Sequence, residues 1–158
     1  QGPAGKGEGG GERASPARAE SEPPGWFRPL SESFPMPRTS RSFDFRKPVA
    51  YDDAAKRRFH GRARSQLRQL AAALRLAVGS YDLRSNWGGI AVSGEVILHS
   101  DRLYVQASQP VMGHDTGILF RVCKGRKDYI GGPNNFASLD LLNRPEDLAA
   151  RIRERCDA

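Results

Sequence analysis

Residues 81–108 read YDLRSNWGGIAVSGEVILHSDRLYVQAS, and here the spacing of apolar residues changes from three or four to two. Leu103, Val105 and Ala107 alternate with Arg102, Tyr104, Gln106 and Ser108, so a strand over 102–108 turns the first set to a core and the second to a polar face. Two strands are expected ahead of it, Tyr81–Asn86 and Ile90–His99, with Trp87-Gly88-Gly89 as a turn and Gly94 as a bulge or bend. Ser100-Asp101 then reads as a tight hairpin turn.

The alternation continues downstream. After a loop at 109–116, residues 117–123 are expected to form a fourth strand with Ile118, Phe120 and Val122 inward and Leu119, Arg121 and Cys123 outward. Lys124–Lys127 reads as a basic turn and Asp128–Ile130 as a short return strand. The run Gly131-Gly132-Pro133-Asn134-Asn135 interrupts the ladder, since proline lacks a donor and glycine weakens a strand. An apolar run, Phe136–Leu142, reads as a packed turn or short helix. Asn143-Arg144-Pro145-Glu146-Asp147 starts a last helix that buries Leu148, Ala149 and Ile152.

Upstream, a helical pattern runs from Tyr51 to Val78, capped by Asp52 or Asp53. Ala63, Leu67, Leu70, Ala71, Leu74 and Val78 gather on one side, Arg57, Arg64, Arg68 and Arg75 form an adjacent stripe, and Gly61 interrupts the pattern, leaving open one continuous helix or two. Residues 1–49 form a Gly/Pro/Ser/Arg-rich tail without apolar periodicity, expected to be disordered. The aromatics between Trp26 and Phe45 read either as a segment for docking on the domain or on a protein partner, or as incidental rings that brush the fold. The expected fold class is α+β: a leading basic helix, an antiparallel sheet of four to five strands and a C-terminal helix, all within a single domain at 50–158.

Charge is divided unevenly. Lys and Arg number four against five Asp and Glu in residues 1–36, eleven against three in 37–78 and ten against ten in 79–158, so the net charge of +7 originates in the middle segment. Most of these cations are arginines, which pair with phosphate in a bidentate fork, and the expected partner is nucleic acid, DNA before RNA. Arg57, Arg58, Arg64 and Arg68 on the helix and Arg126 and Lys127 on the basic turn are the expected phosphate contacts. Tyr104 and Tyr129 would stack on bases, with Arg102 and Arg121 beside them on the outward sheet face. The alternative is an adaptor or inhibitor that docks a protein through the sheet face or the Trp26–Phe45 segment.

No catalytic or metal-ligating pattern is spelled. His99, Asp101 and the pair His114-Asp115 sit at turns without a nucleophile in a recognised frame, and phosphate-loop, dinucleotide and zinc spacings are absent, so a non-enzymatic protein without a cofactor is expected. Cys123 and Cys156 stand far apart, as in a reduced compartment. With no membrane-spanning run and no signal-type N-terminus, the expectation is a cytoplasmic protein; Gln1 in place of Met is compatible with a start inside a longer product.

Two resemblances add to this reading. Within residues 88–142, GGIAVSGEVILHSDRLYVQASQ, GILFRVCKGRKDYIGGPNNF and the ASLDLLNRPEDLAARI that follows resemble small uncharacterised proteobacterial proteins of plasmids and integrative conjugative elements. This implies a mobile-element context and no activity. In topology, consecutive antiparallel strands followed by Leu139–Leu142 and an Asn-x-Pro-Glu-initiated helix are similar to the single-strand-binding transcriptional coactivators, which implies a homodimer through that helix. The glycine-rich insertion at 131–135 and the long leading helix depart from that pattern.

Overall fold

The computed structural model describes residues 42–111 and 113–156, the side chain of His114 excepted. The order is α1 (Asp53–Ala73), five strands and α2 (Pro145–Cys156). The strands are β1 (Tyr81–Asn86), β2 (Glu95–Ser100), β3 (Leu103–Ser108), β4 (Ile118–Val122) and β5 (Asn135–Ala137). They form one antiparallel sheet in the order β1-β2-β3-β4-β5, a meander in which each strand pairs with the next. The α+β class follows.

Register carries the core across the sheet. Leu83, Leu98, Val105 and Phe120 lie opposite one another on successive strands, with Val96, Ala107 and Ile118 on the same inner face. That face is covered by α1 through Phe59, Ala63, Leu67, Leu70 and Ala71 and by α2 through Leu148, Ala149 and Ile152. Asp52 caps α1 by accepting from the Ala55 N–H at 3.0 Å, as the sequence suggests.

Several boundaries settle or differ from the sequence-based expectation. Helix α1 passes unbroken through Gly61, whose missing side chain faces open space, so the propensity cost there is outweighed by the packed turns on either side. It ends at Ala73, and Val78 is 98% exposed instead of buried. Strand β2 begins at Glu95 because Gly94 adopts φ +72° with the Trp87 carbonyl oxygen only 2.7 Å from where a Cβ would stand. Residues 128–130 form no strand, and the ladder resumes at Asn135, inside the run read as a breaker. Val122 is partly exposed whereas Cys123 is buried, its Sγ 3.3 Å from the Ser100 carbonyl, the reverse of simple alternation at a strand end.

Packed structure also starts before residue 50. Phe45 is fully buried, edge-on to Phe43 at 4.7 Å and to Phe59 at 5.9 Å. Its backbone is latched by Gln109, whose side-chain amide donates to the carbonyls of Phe45 (2.9 Å) and Lys47 (2.7 Å) and accepts from the Val49 N–H at 3.2 Å. Asn143 holds the Phe43 carbonyl at 2.8 Å. Burying one such ring contributes roughly 2–3 kcal/mol, so the last two aromatics of the expected partner-docking segment belong to the core of the domain. Trp26 and Phe34 lie outside the described residues.

Both sheet edges are guarded by arginines from the helices. Arg64 of α1 donates to the Leu83 carbonyl and the Ser85 hydroxyl on β1, each at 3.3 Å, and Arg151 of α2 donates to the Phe136 carbonyl on β5 at 3.1 Å. An arginine laid over an edge carbonyl hinders the addition of a further strand there. No helix among the described residues is long and apolar enough to cross a membrane.

Candidate nucleic-acid interface

Seven cations and no acid occupy the sequence between Asp53 and Asp82. Because α1 buries one side against the sheet, the remaining side must carry most of them. At about 100° per residue, Ala54, Gly61, Ser65 and Ala72 form a low central ridge on the solvent side, with Arg57 and Arg68 along one flank and Arg58 and Arg62 along the other. Arg57 pairs with Asp53 at 3.1 Å. Among the described residues Arg58, Arg62 and Arg68 have no hydrogen-bond or ion-pair partner, and all three are exposed. A stripe drawn through Arg57, Arg64, Arg68 and Arg75 misses Arg62, and includes two residues the structure sets apart. Arg64 is spent on the β1 edge, and Arg75 lies beyond the helix at φ +58°.

At the N-terminal end of that face, the loop from Trp87 to Gly94 is tied down to α1. Lys56 is buried and donates to the Gly89 carbonyl at 2.9 Å; the His60 Nε2–H donates to the Ser93 carbonyl at 2.7 Å. The Tyr51 N–H reaches the Ile90 carbonyl at 2.8 Å. His60 is 1% exposed, and its ring stacks on Trp87 with centroids 4.1 Å apart and planes 21° from parallel. Burial pushes the His60 imidazole below its ordinary pKa, with Lys56 and Arg64 adding to the effect against the opposing Ser93 hydrogen bond. Trp87 itself remains 46% exposed and lines a cleft of about 650 Å³ with Val49, Asp53, Lys56, Arg57 and Ile90. Sequence reasoning assigned Trp87 to a turn; the signal for more was a large aromatic beside two glycines.

The part of the outward sheet face around Tyr104 and Arg121 turns out to be closed. Tyr104 and Arg121 are opposite each other in register, and the Arg121 guanidinium lies 4.4 Å from the Tyr104 ring centroid, which is the adjacency the alternation implies. The loop at 124–134 folds over them. Arg121 donates to the Tyr129 carbonyl and, at 3.3 Å, to Asn134 Oδ1, while Arg84 donates to the Tyr129 hydroxyl at 3.1 Å. Tyr104 is left 7% exposed, its hydroxyl donating to Gln106 at 2.9 Å, and burial raises its pKa. It cannot receive a base in this arrangement.

His99 is the hinge pin of this closure, fully buried and not at a surface turn. Arg84 can only donate, so the 3.1 Å contact makes His99 Nδ1 an acceptor, and Nε2 carries the proton given to the Gly125 carbonyl at 3.1 Å. The ring is therefore neutral, and burial followed by Arg84 holds its pKa below the ordinary value. Asp128 organises the covering loop, accepting from the backbone N–H groups of Lys124, Ile130 and Gly131, which lower its own pKa.

The other expected contacts are scattered. Arg126 is engaged with Asp82 (3.5 Å), Asp101 (3.3 Å) and the Gly79 carbonyl (2.6 Å). Lys127 and Arg102 are exposed, and Tyr129 is 57% exposed at the rim of the loop. Helix α1 covers the inner face of the sheet and Tyr104 lies on the outer, so the two groups of expected contacts do not form one continuous surface. Cys123 is buried with its pKa raised by burial. Among the described residues no three His, Cys, Asp or Glu side chains gather as a metal site requires. The chain matches no family model, no curated protein and no solved structure.

Proposed function

We propose that the protein is a non-enzymatic nucleic-acid-binding accessory protein, DNA before RNA, acting in the mobile-element setting that its resemblance implies. The observation that supports this most is the solvent face of α1: Arg58, Arg62 and Arg68 stand exposed and, among the described residues, unpaired around a ridge of small residues, in a stretch holding no acid. Exposed arginines left without a partner among the described residues keep their donors for an external anion, and two cationic flanks suit a backbone of phosphates. Tyr104, Arg121 and Arg126 are engaged within the fold and supply none of this surface. An adaptor role through Tyr104 and Arg121 is disfavoured by the loop that covers them, and Phe43 and Phe45 are already used within the domain.

Fluorescence anisotropy of the chain against labelled single-stranded DNA, duplex DNA and RNA tests this. Binding at low salt, weakened but still measurable on replacing Arg58, Arg62 and Arg68 together by glutamate, is the expected outcome. Absence of binding to all three at low salt would overturn the proposal.

A further inference from the structure

Resting on that reading, we propose that Trp87 is a stacking platform for an unpaired base, making single strands the preferred nucleic acid. A flexible aromatic loses rotamer freedom when a base stacks on it; Trp87 has already lost that freedom. One face of its indole is occupied by the His60 ring at 4.1 Å, and His60 is itself fixed from behind by the Ser93 carbonyl. The flanking loop is fastened to α1 by Lys56. What is left open is the remainder of the indole, 46% exposed, at the wall of the cleft.

The chemistry of that wall fits a base better than a phosphate. Its charged side chains cancel: Lys56 is turned to a carbonyl, Asp52 to the helix cap, and Arg57 is paired with Asp53. The lining itself carries no net formal charge to draw an anion. Val49 and Ile90 supply apolar edges, and the Asp53–Arg57 pair supplies both an acceptor and donors for the polar rim of a heteroaromatic ring. Phosphate attraction comes from the adjoining helix face, where Arg68 shares a flank with Arg57. A strand lying along α1 would thus set its phosphates on the arginines and turn one base into the cleft, which a paired base in a duplex cannot do.

Two oligothymidylates of one length, one intact and one carrying abasic sugars in place of its bases, present the same phosphates to the full chain. The intact strand is expected to bind about tenfold tighter, the scale of one stacked base. The Trp87→Phe variant should keep most of that difference, and Trp87→Leu should abolish it while still binding both strands. Equal affinity of the unaltered protein for intact and abasic strands would overturn the stacking proposal with the arginine face intact. Failure to bind either strand would overturn both.

Discussion

At the scale of single residues, the two described histidine rings show how burial converts a titratable group into a structural one. His99 needs a lone pair toward Arg84, and His60 is enclosed beside Lys56 and Arg64, so a second proton on either ring is disfavoured in the fold. Both pKa values are lowered from 6.5. The unfolded chain therefore binds more protons once pH drops below that value, and stability that is fully present above it is lost on descending toward the folded-state values. The urea midpoint is expected to fall between about pH 7.5 and about pH 5.5. His99→Gln, which keeps an acceptor and a donor but does not titrate, should flatten part of that fall; a midpoint indifferent to pH would contradict this account. The adjacency of Tyr104 and Arg121 was legible in the sequence, since alternation and pairing order dictate it. Their closure beneath Tyr129 was not, because it depends on Asp128 folding a glycine-rich loop back through contacts with no period.

At the scale of elements, α1 was legible in type and buried face, and β1, β3 and α2 nearly in extent, because each carries an unbroken apolar period. Errors and open readings fell where one residue type had two physical meanings. Gly61 reads as a breaker yet is tolerated on an exposed ridge, and an arginine on a helix reads as a phosphate contact yet serves as an edge cap at Arg64. The second meaning has a consequence. Replacing Arg64 by glutamate should uncap the Leu83 carbonyl and Ser85, leave β1 open to strand addition and raise self-association on mild heating, as read by light scattering. Arg68→Glu, one turn along and without a partner in the fold, should not. Equal behaviour of the two variants would remove the edge-capping role. The latch of Phe45 through Gln109 was hidden for a related reason: it joins residues far apart in sequence, one of them in a stretch of tail-like composition.

At the scale of the whole molecule, the chain separates its tasks by surface. The inner sheet face and two helices make the core, the loop at 124–134 covers the Tyr104–Arg121 part of the outer face, and the exposed arginines are left on the solvent side of α1 with Trp87 at one end. The exposed arginines of that face should act through release of counterions from a bound polyanion. The most direct test is the slope of log affinity against log salt for a single-stranded oligonucleotide, measured for the full chain and for the variant with Arg58, Arg62 and Arg68 replaced by glutamate. The account expects steep weakening with salt in the unaltered protein and a slope shallower by about two in the variant, each phosphate contact on a single strand contributing roughly 0.7. Affinity that does not change with salt, or a slope that survives the three substitutions, would contradict the assignment of the α1 face.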